Sequence, residues 1–276
     1  MKRIEDFNKT LPIVEIYTAV QSEGSRAGYP TVVIRTTGCT HRCYFGEGGW
    51  CDSWYTSIHP EKGKYLFKDI SDIYDKNPHI KEMMLTGGSP TMHPALVNEL
   101  THFANERKIF ITIETEGSHF LETDYLINLL SISPKFNNSI PKIGIETPKG
   151  KIVDENMIGV HNRYRLNVKA IVESIMYHKD FHFKPVWDGE CETTLQEIKI
   201  FLDEVAKVLY EKDYGHSAPL SFIKEQIKDK TWFMPAGDSR EALFQSYPKV
   251  FDWVRDNGYK MTFRPHIIAF EDQREV

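Results

Sequence analysis

The chain has 276 residues, 41% of them apolar and 26% charged, with a net charge of −5. That length allows one large domain or two small ones, and the apolar share supplies a sizeable core. The acidic balance argues against bulk DNA or RNA binding. No run of about eighteen apolar residues predicts a membrane helix, and the opening MKRIEDFNKTLPIVEIYT lacks an apolar signal core. A cytoplasmic protein with no membrane partner and no direct nucleic-acid partner is expected.

VEIYTAV (14–20) and TVVIRT (31–36) read as strands from their β-branched and aromatic content, with QSEGSRAGYP between them as loop. KEMMLT (81–86) is a short apolar run stopped by GGSP, and HPALVNELTHFANER (93–107) has apolar residues at helical spacing. FITIET (110–115) is a strand stopped by EGS. YLINLLSIS (125–133) predicts a helix end running into a strand before Pro134. Segment 136–180 is less regular, carrying NNS and PKGK, and reads as an insertion or lid-like excursion on a single domain spanning 1–276. FHFKPVW (181–187) resumes strand character. TTLQEIKIFLDEVAKVLYEK (193–212) is an amphipathic helix with Thr193 as its N-cap. WFMPAG (232–237) is a strand and turn. SREALFQSYPKVFDWVRDNG (239–258) is a helix kinked at Pro248 and capped by Gly258, and YKMTFRPHI (259–267) is a last strand. Strand and helix in alternation predict an α/β fold with a mostly parallel sheet. GCTHRC, TGGSP, ETEGS and SPK all follow predicted strands, where such folds carry their chemistry, so one shared site is expected.

GCTHRCYFGEGGWCDS (38–53) holds three of the four cysteines. A reducing compartment disfavours a disulfide, which leaves metal or redox chemistry. The spacing admits three readings: zinc completed by His41 or His59, a cubane iron–sulfur cluster with one iron open, or inert buried thiols. An open iron needs a ligand that the protein does not supply. The turn Thr86-Gly87-Gly88 permits close backbone approach, and Trp50 offers a flat aromatic face. Together these suit S-adenosylmethionine. Cys191, in DGECET, is expected to be no ligand.

With VQSEGSRAGYPTVVIRTTGC, WCDSWYT, TGGSP, ETEGS, SPK and FMPAGDSREAL…VRDNGYKMTFRPH in this order, the chain resembles the radical S-adenosylmethionine enzymes. Within them it is similar to the 7-carboxy-7-deazaguanine synthase family of the queuosine pathway. The matching segments run from 14 to about 266, with poor cover at 1–12, 57–78 and 136–180. The resemblance implies an incomplete (β/α) TIM-like barrel of the radical type, with the cluster at the mouth of the strands. It implies a 4Fe–4S cluster on Cys39, Cys43 and Cys51, with S-adenosylmethionine on the open iron. Trp50, Cys51, Asp52, Gly88, Ser133, Pro134 and Lys135 would line that cofactor. The family's substrate is 6-carboxy-5,6,7,8-tetrahydropterin, which loses hydrogen at C6, contracts and releases ammonia to give 7-carboxy-7-deazaguanine. Val20, Gln21, Ser22, Glu23, Arg35, Thr86 and His266 would hold the pterin, Glu23 by accepting its N–H groups and Arg35 by pairing with its carboxylate. Ser53 matches a hydroxyl that binds Mg²⁺. An external, flavodoxin-like electron donor and a homodimer are also implied. The alternatives are a glycyl-radical-activating enzyme and a zinc-stabilised binding module.

The chain departs from the family pattern in four places. Seven residues, YFGEGGW, separate Cys43 from Cys51 where two are usual, and a glycine-rich bulge that still lets both reach one cluster is expected. Ser22 replaces a glycine. Ser89 replaces the glutamate of a Gly-Gly-Glu-Pro turn, a carboxylate that contacts the cofactor's amino group. Met234 replaces a glutamine. These departures point to a divergent branch, with DNA rather than tRNA modification as one destination of its product.

Overall fold

The computed structural model describes residues 2–46, 49–214, 218–271 and 273–276. β1 (Ile13–Val20) and β2 (Pro30–Thr36) form an antiparallel pair. Every later ladder between the named strands is parallel. β3 (Glu82–Gly87), β4 (Phe110–Thr115), β5 (Leu129–Ile132) and β6 (Phe181–Phe183) follow in chain order. A second sheet continues the series with β7 (Val186–Trp187), β8 (Trp232–Pro235) and β9 (Lys260–Met261). A parallel bridge from Phe183 to Thr231 joins the two sheets. β1 and β9 share no ladder. Instead the Gly24 N–H donates to the Thr262 hydroxyl at 2.6 Å, so the two ends of the series meet through a side chain. The fold is an incomplete α/β barrel, as expected.

Short α1 (Trp54–Ser57) and α2 (Phe67–Lys76) connect β2 to β3, and α3 (Pro94–Arg107) connects β3 to β4. Between β5 and β6 lie α4 (Glu155–Arg163) and α5 (Val168–Tyr177). α6 (Glu192–Leu209), a π turn at Tyr210–Tyr214 and α7 (Leu220–Asp229) precede β8. α8 (Arg240–Asn257) precedes β9, and α9 (Pro265–Phe270) follows it. Among the described residues no helix is long and apolar enough to cross a membrane.

Strand alternation sorts the sheet into two chemistries, because successive side chains point to opposite faces. Val32, Ile34, Met83, Leu85, Ile111, Ile113, Leu130 and Ile132 join one buried apolar core. Each such side chain contributes about 1.5–3 kcal/mol by leaving water. Their neighbours in sequence, Val33, Arg35, Met84, Thr86, Glu114 and Ser133, face a cavity instead.

Several sequence expectations need correction. Residues 125–128 are loop rather than helix, and only Leu129–Ile132 pair as strand. The run 181–187 divides into β6 and β7 at Lys184-Pro185, where proline removes a ladder donor. α6 starts at Glu192 with Cys191 as its N-cap, not Thr193. Only Lys260–Met261 of 259–267 is strand, because Pro265 starts α9. α2 was not foreseen. It buries Ile70 and Tyr74, and its N-terminus is held by the Leu66 N–H donating to Asp69 at 2.7 Å. Within 136–180, α5 is a connection between neighbouring strands, and 137–154 runs beside the cysteine loop. α8 continues through Pro248 and ends at Gly258, whose φ of 68° is the left-handed cap expected there.

His178 ties α5 to the loop before β5. Its Nδ1 accepts from the Ile127 N–H at 3.2 Å, so Nε2 carries the proton and donates to the Leu121 carbonyl at 3.0 Å. Burial lowers its pKa to about 4. The unfolded chain binds the proton near pH 6.5, so this stabilisation is complete above that pH and is lost as pH falls toward 4. His178→Gln is therefore expected to reduce the slope of stability against pH between 6 and 4.5 by up to about 1.4 kcal/mol per pH unit, measured by denaturant titration.

Candidate active site

The loop after β2 brings the cysteines together. The Cys51 N–H donates to the Cys43 carbonyl at 3.1 Å, and Tyr44 and Trp50 form an antiparallel bridge. The Phe45 N–H reaches the Gly49 carbonyl at 2.8 Å. The seven-residue gap is thus a small hairpin whose base sets Cys43 beside Cys51, with Glu47 and Gly48 outside the described residues. The Tyr44 and Trp50 rings lie 5.0 Å apart and the Trp50 Nε1–H donates to the Glu146 carbonyl at 3.0 Å, so Trp50 braces the hairpin.

Cys39, Cys43 and Cys51 all line one cavity of about 220 Å³ inside the barrel. Burial, reinforced by Glu116, pushes the Cys39 thiol up to about 12. Burial also raises Cys43 and Cys51. The bare thiols are neutral, and a metal that binds them must displace their protons. Tetrahedral zinc would need its sulfurs about 3.8 Å apart, given Zn–S bonds near 2.3 Å. Among the described residues no three His, Cys, Asp or Glu side chains are grouped closely enough to hold one ion. A cubane places each thiolate on a different iron and requires no such grouping. His41 Nδ1 is engaged with the Thr40 hydroxyl at 2.9 Å, and its ring packs edge-on to His161. His59 bonds Thr147. Cys191 lies at the start of α6, outside the cavity lining.

The Gly-Gly turn crosses the cysteine loop at close range. The Ser89 N–H donates to the Gly38 carbonyl at 2.7 Å, and a Cβ on Gly88 would fall 1.9 Å from that oxygen. Only glycine fits there.

The same cavity is lined by a cluster of charges, in which Lys184 and Arg264 are buried. Lys184, just past β6, contacts Glu23 at 2.6 Å and also pairs with Glu114 of β4. Arg264 contacts Glu23 at 3.2 Å and Asp52 at 2.6 Å. Thr86 donates its hydroxyl to Glu114 at 2.7 Å. Burial alone would favour neutral Lys184, but Glu114 and Glu23 outweigh it and hold the ammonium charged. Burial likewise opposes the charge on Glu23, yet Lys184, Arg264 and His266 carry its pKa well below the carboxylate range. Desolvation would raise the pKa of Asp52, but Arg264 and Arg35 outweigh it and lower it. Arg35 is itself engaged. Its Nε donates to Glu15 at 2.7 Å and an Nη reaches the Tyr17 hydroxyl at 3.4 Å.

Val20, Ser22, Glu23, Arg35, Thr86, Gly88, Ser133, Lys135, Asp52, Ser53 and His266 join the three cysteines around the cavity. Lys135 donates to Ser133 at 2.9 Å, and the Ser53 hydroxyl donates to Asp52 at 3.2 Å. Trp50, Pro134 and Gln21 are not part of the lining. Gln21 is buried with its Nε2 unpartnered, while its backbone pairs with Tyr29 and Gly28. Sequence reasoning missed Glu114, Glu116, Lys184 and Arg264. The signal that finds Glu114 and Glu116 is a pair of polar residues at alternate positions at the end of β4; Lys184 and Arg264 carry no such signal.

Parallel strands in chain order, three thiols in the loop after β2 and a glycine turn after β3 are the arrangement that the resemblance to radical S-adenosylmethionine enzymes implies. No family model matches the chain. It is 29% identical over 266 residues to 7-carboxy-7-deazaguanine synthase of Halobacterium salinarum, covering 96% of this chain and 93% of that protein. It is 28% identical over 265 residues to the synthase of Rhodopirellula baltica, covering 96% and 88%. In fold it is similar to QueE of Escherichia coli, with a TM-score of 0.52 over 91% of this chain and 92% of that one at 17% identity. Over nearly its whole length the chain is therefore similar to 7-carboxy-7-deazaguanine synthases.

Replacing Lys184 with Met removes the charge shared by Glu23 and Glu114 and leaves two facing carboxylates. A loss of about 3–5 kcal/mol is expected, read from the denaturation midpoint at pH 7.5. The pH dependence fixes the cause. Glu23 stabilises the wild type above the unfolded carboxylate pKa, and that contribution is lost as pH falls through its depressed folded value. In the variant one carboxylate holds a proton near neutrality, so the gap to wild type should narrow from pH 8 to 5. A constant gap would refute this.

Proposed function

We propose that this chain converts 6-carboxy-5,6,7,8-tetrahydropterin to 7-carboxy-7-deazaguanine with loss of ammonia. The observation that carries the proposal is one cavity lined both by three thiols and by the Glu23–Lys184–Glu114 cluster. Cys39, Cys43 and Cys51 would hold a 4Fe–4S cluster, and Asp52, Gly88, Ser133 and Lys135 would border S-adenosylmethionine. When bound, the pair supplies the one-electron cleavage whose carbon radical takes hydrogen from the substrate.

The protein's own part is binding and orientation. A carboxylate offers about four lone-pair sites. Glu23 uses one oxygen for Lys184 and the other for Arg264, so each retains a site for a donor of the pterin edge. Both cations keep Glu23 ionised and therefore an acceptor only. Thr86 has its proton committed to Glu114, so its oxygen faces the substrate as an acceptor. Arg35 is fixed in direction by Glu15 and retains Nη donors for the substrate carboxylate. Ser53 supplies a hydroxyl beside Asp52 for Mg²⁺, which keeps most of its shell for water and substrate oxygens. Val20, Ser22 and His266 close the pocket. An external electron donor of flavodoxin type and a second copy of the chain complete the proposed assembly, in the cytoplasm.

Anaerobic reconstitution with iron and sulfide should give a brown protein with broad visible absorbance, and carboxytetrahydropterin should yield the deazaguanine. Changing any one of Cys39, Cys43 and Cys51 to Ala should abolish turnover while far-ultraviolet circular dichroism stays native. A colourless protein carrying one zinc, or no deazaguanine from a cluster-loaded protein, would overturn the reading.

A further inference from the structure

Glu116, one residue past β4, is 5% exposed and lines the cavity. One carboxylate oxygen is fully used. Oε1 accepts from Ser89 at 2.7 Å and from Thr40 at 2.8 Å. The other, Oε2, is buried with no hydrogen-bond partner. Among the described residues no Lys, Arg or His forms an ion pair with it, unlike Glu15, Glu23, Glu82 and Glu99. A buried carboxylate oxygen without a partner costs several kcal/mol, so an occupant of the cavity is expected to supply the cation. Glu116 stands close enough to Cys39 and Cys43 to raise both thiols. Lys135 acts on the same two thiols with the opposite sign, and its ammonium is held by Ser133. The wall beside the cysteines therefore presents one anion and one cation, the complement of a zwitterionic amino acid.

We infer that Glu116 Oε2 receives the ammonium of S-adenosylmethionine's amino-acid end, with Lys135 facing its carboxylate. The inference rests on the cofactor reading above and adds the residue that selects the ligand's charged end. Ser89, on the Gly-Gly turn, positions Glu116 rather than touching the cofactor through a carboxylate of its own. The Ser89 and Thr40 hydroxyls hold Oε1, and that fixes the direction of Oε2.

The test compares two ligands on anaerobically reconstituted protein by calorimetry: S-adenosylmethionine and 5′-methylthioadenosine, which lacks the amino-acid end. Glu116→Gln retains an oxygen for Ser89 and Thr40 and removes the charge. It should weaken S-adenosylmethionine roughly 10- to 100-fold, as loss of a charge-assisted bond does, and leave 5′-methylthioadenosine unchanged. Glu116→Asp should fall between Gln and wild type. The iron content and visible spectrum of each variant should match wild type. Unchanged S-adenosylmethionine affinity, or equal weakening of both ligands, would overturn the assignment. Wild-type protein that takes up no cluster, or binds neither ligand, would instead overturn the cofactor reading and this inference with it.

Discussion

The cavity depends on how five charges are balanced, from buried Lys184 and Arg264 through half-buried Glu23 and Glu114 to exposed Asp52. Lys184 and Arg264 face Glu23, Glu114 and Asp52, and these residues come from five separate segments of the chain. No strand ladder joins β1 to β9. Arg264, just beyond β9, reaches Glu23 beyond β1 and Asp52 of the cysteine loop, so it crosses the gap that the sheet leaves. Desolvating such ions costs nearly as much as their attraction returns, and often more. Stability alone gives no reason to retain them. Their geometry offers the reason: each fixes a cavity-lining side chain in direction and charge state before any ligand arrives.

The energy to hold this arrangement comes from the other face of the same strands. Ile34, Met83, Leu85, Ile111 and Ile132 are fully or almost fully buried in the apolar core. The adjacent positions Arg35, Thr86, Glu114 and Ser133 point into the cavity. A one-residue slip in any strand would exchange the two faces, placing carboxylates in the core and leucines in the site. The register that makes the protein fold is therefore the register that makes the site. The cluster at Glu23 and Lys184 shares its fate with packing several ångströms away.

Much of this was legible in the sequence. The strands at 14–20, 31–36, 81–86 and 110–115 lie where composition and breakers place them, and the chemistry-bearing loops follow strands. What escaped has physical causes. α2 is the exception: it escaped although Phe67, Ile70, Ile73 and Tyr74 stand at helical spacing, a pattern the sequence does carry. β6 and β7 read as one run because Pro185 leaves the backbone extended while removing a donor. Lys184 and Arg264 carry no local signature, since their carboxylate partners lie between 70 and 241 residues away. ETEGS was recognised as a unit, but only the strand's direction shows that Glu114 and Glu116 both face inward. Arg35 shows the reverse. Its strand position was informative, yet its commitment to Glu15 depends on the pairing of β1 with β2, which no local pattern specifies.

The cysteine spacing shows why a motif counted in sequence can mislead. Seven residues between Cys43 and Cys51 appear to break a compact ligand set. Antiparallel pairing brings the two ends of a hairpin back together whatever its length, and the Cys51 N–H to Cys43 carbonyl bond is its closing rung. Tyr44 against Trp50, one step further out, holds the hairpin shut. Residues added beyond that rung leave the separation of the two thiols untouched, while their loop closure costs only about 0.6 kcal/mol per doubling of length. The distance that matters is set by one backbone hydrogen bond, so the long gap is compatible with the same three-thiol wall that a short one would build.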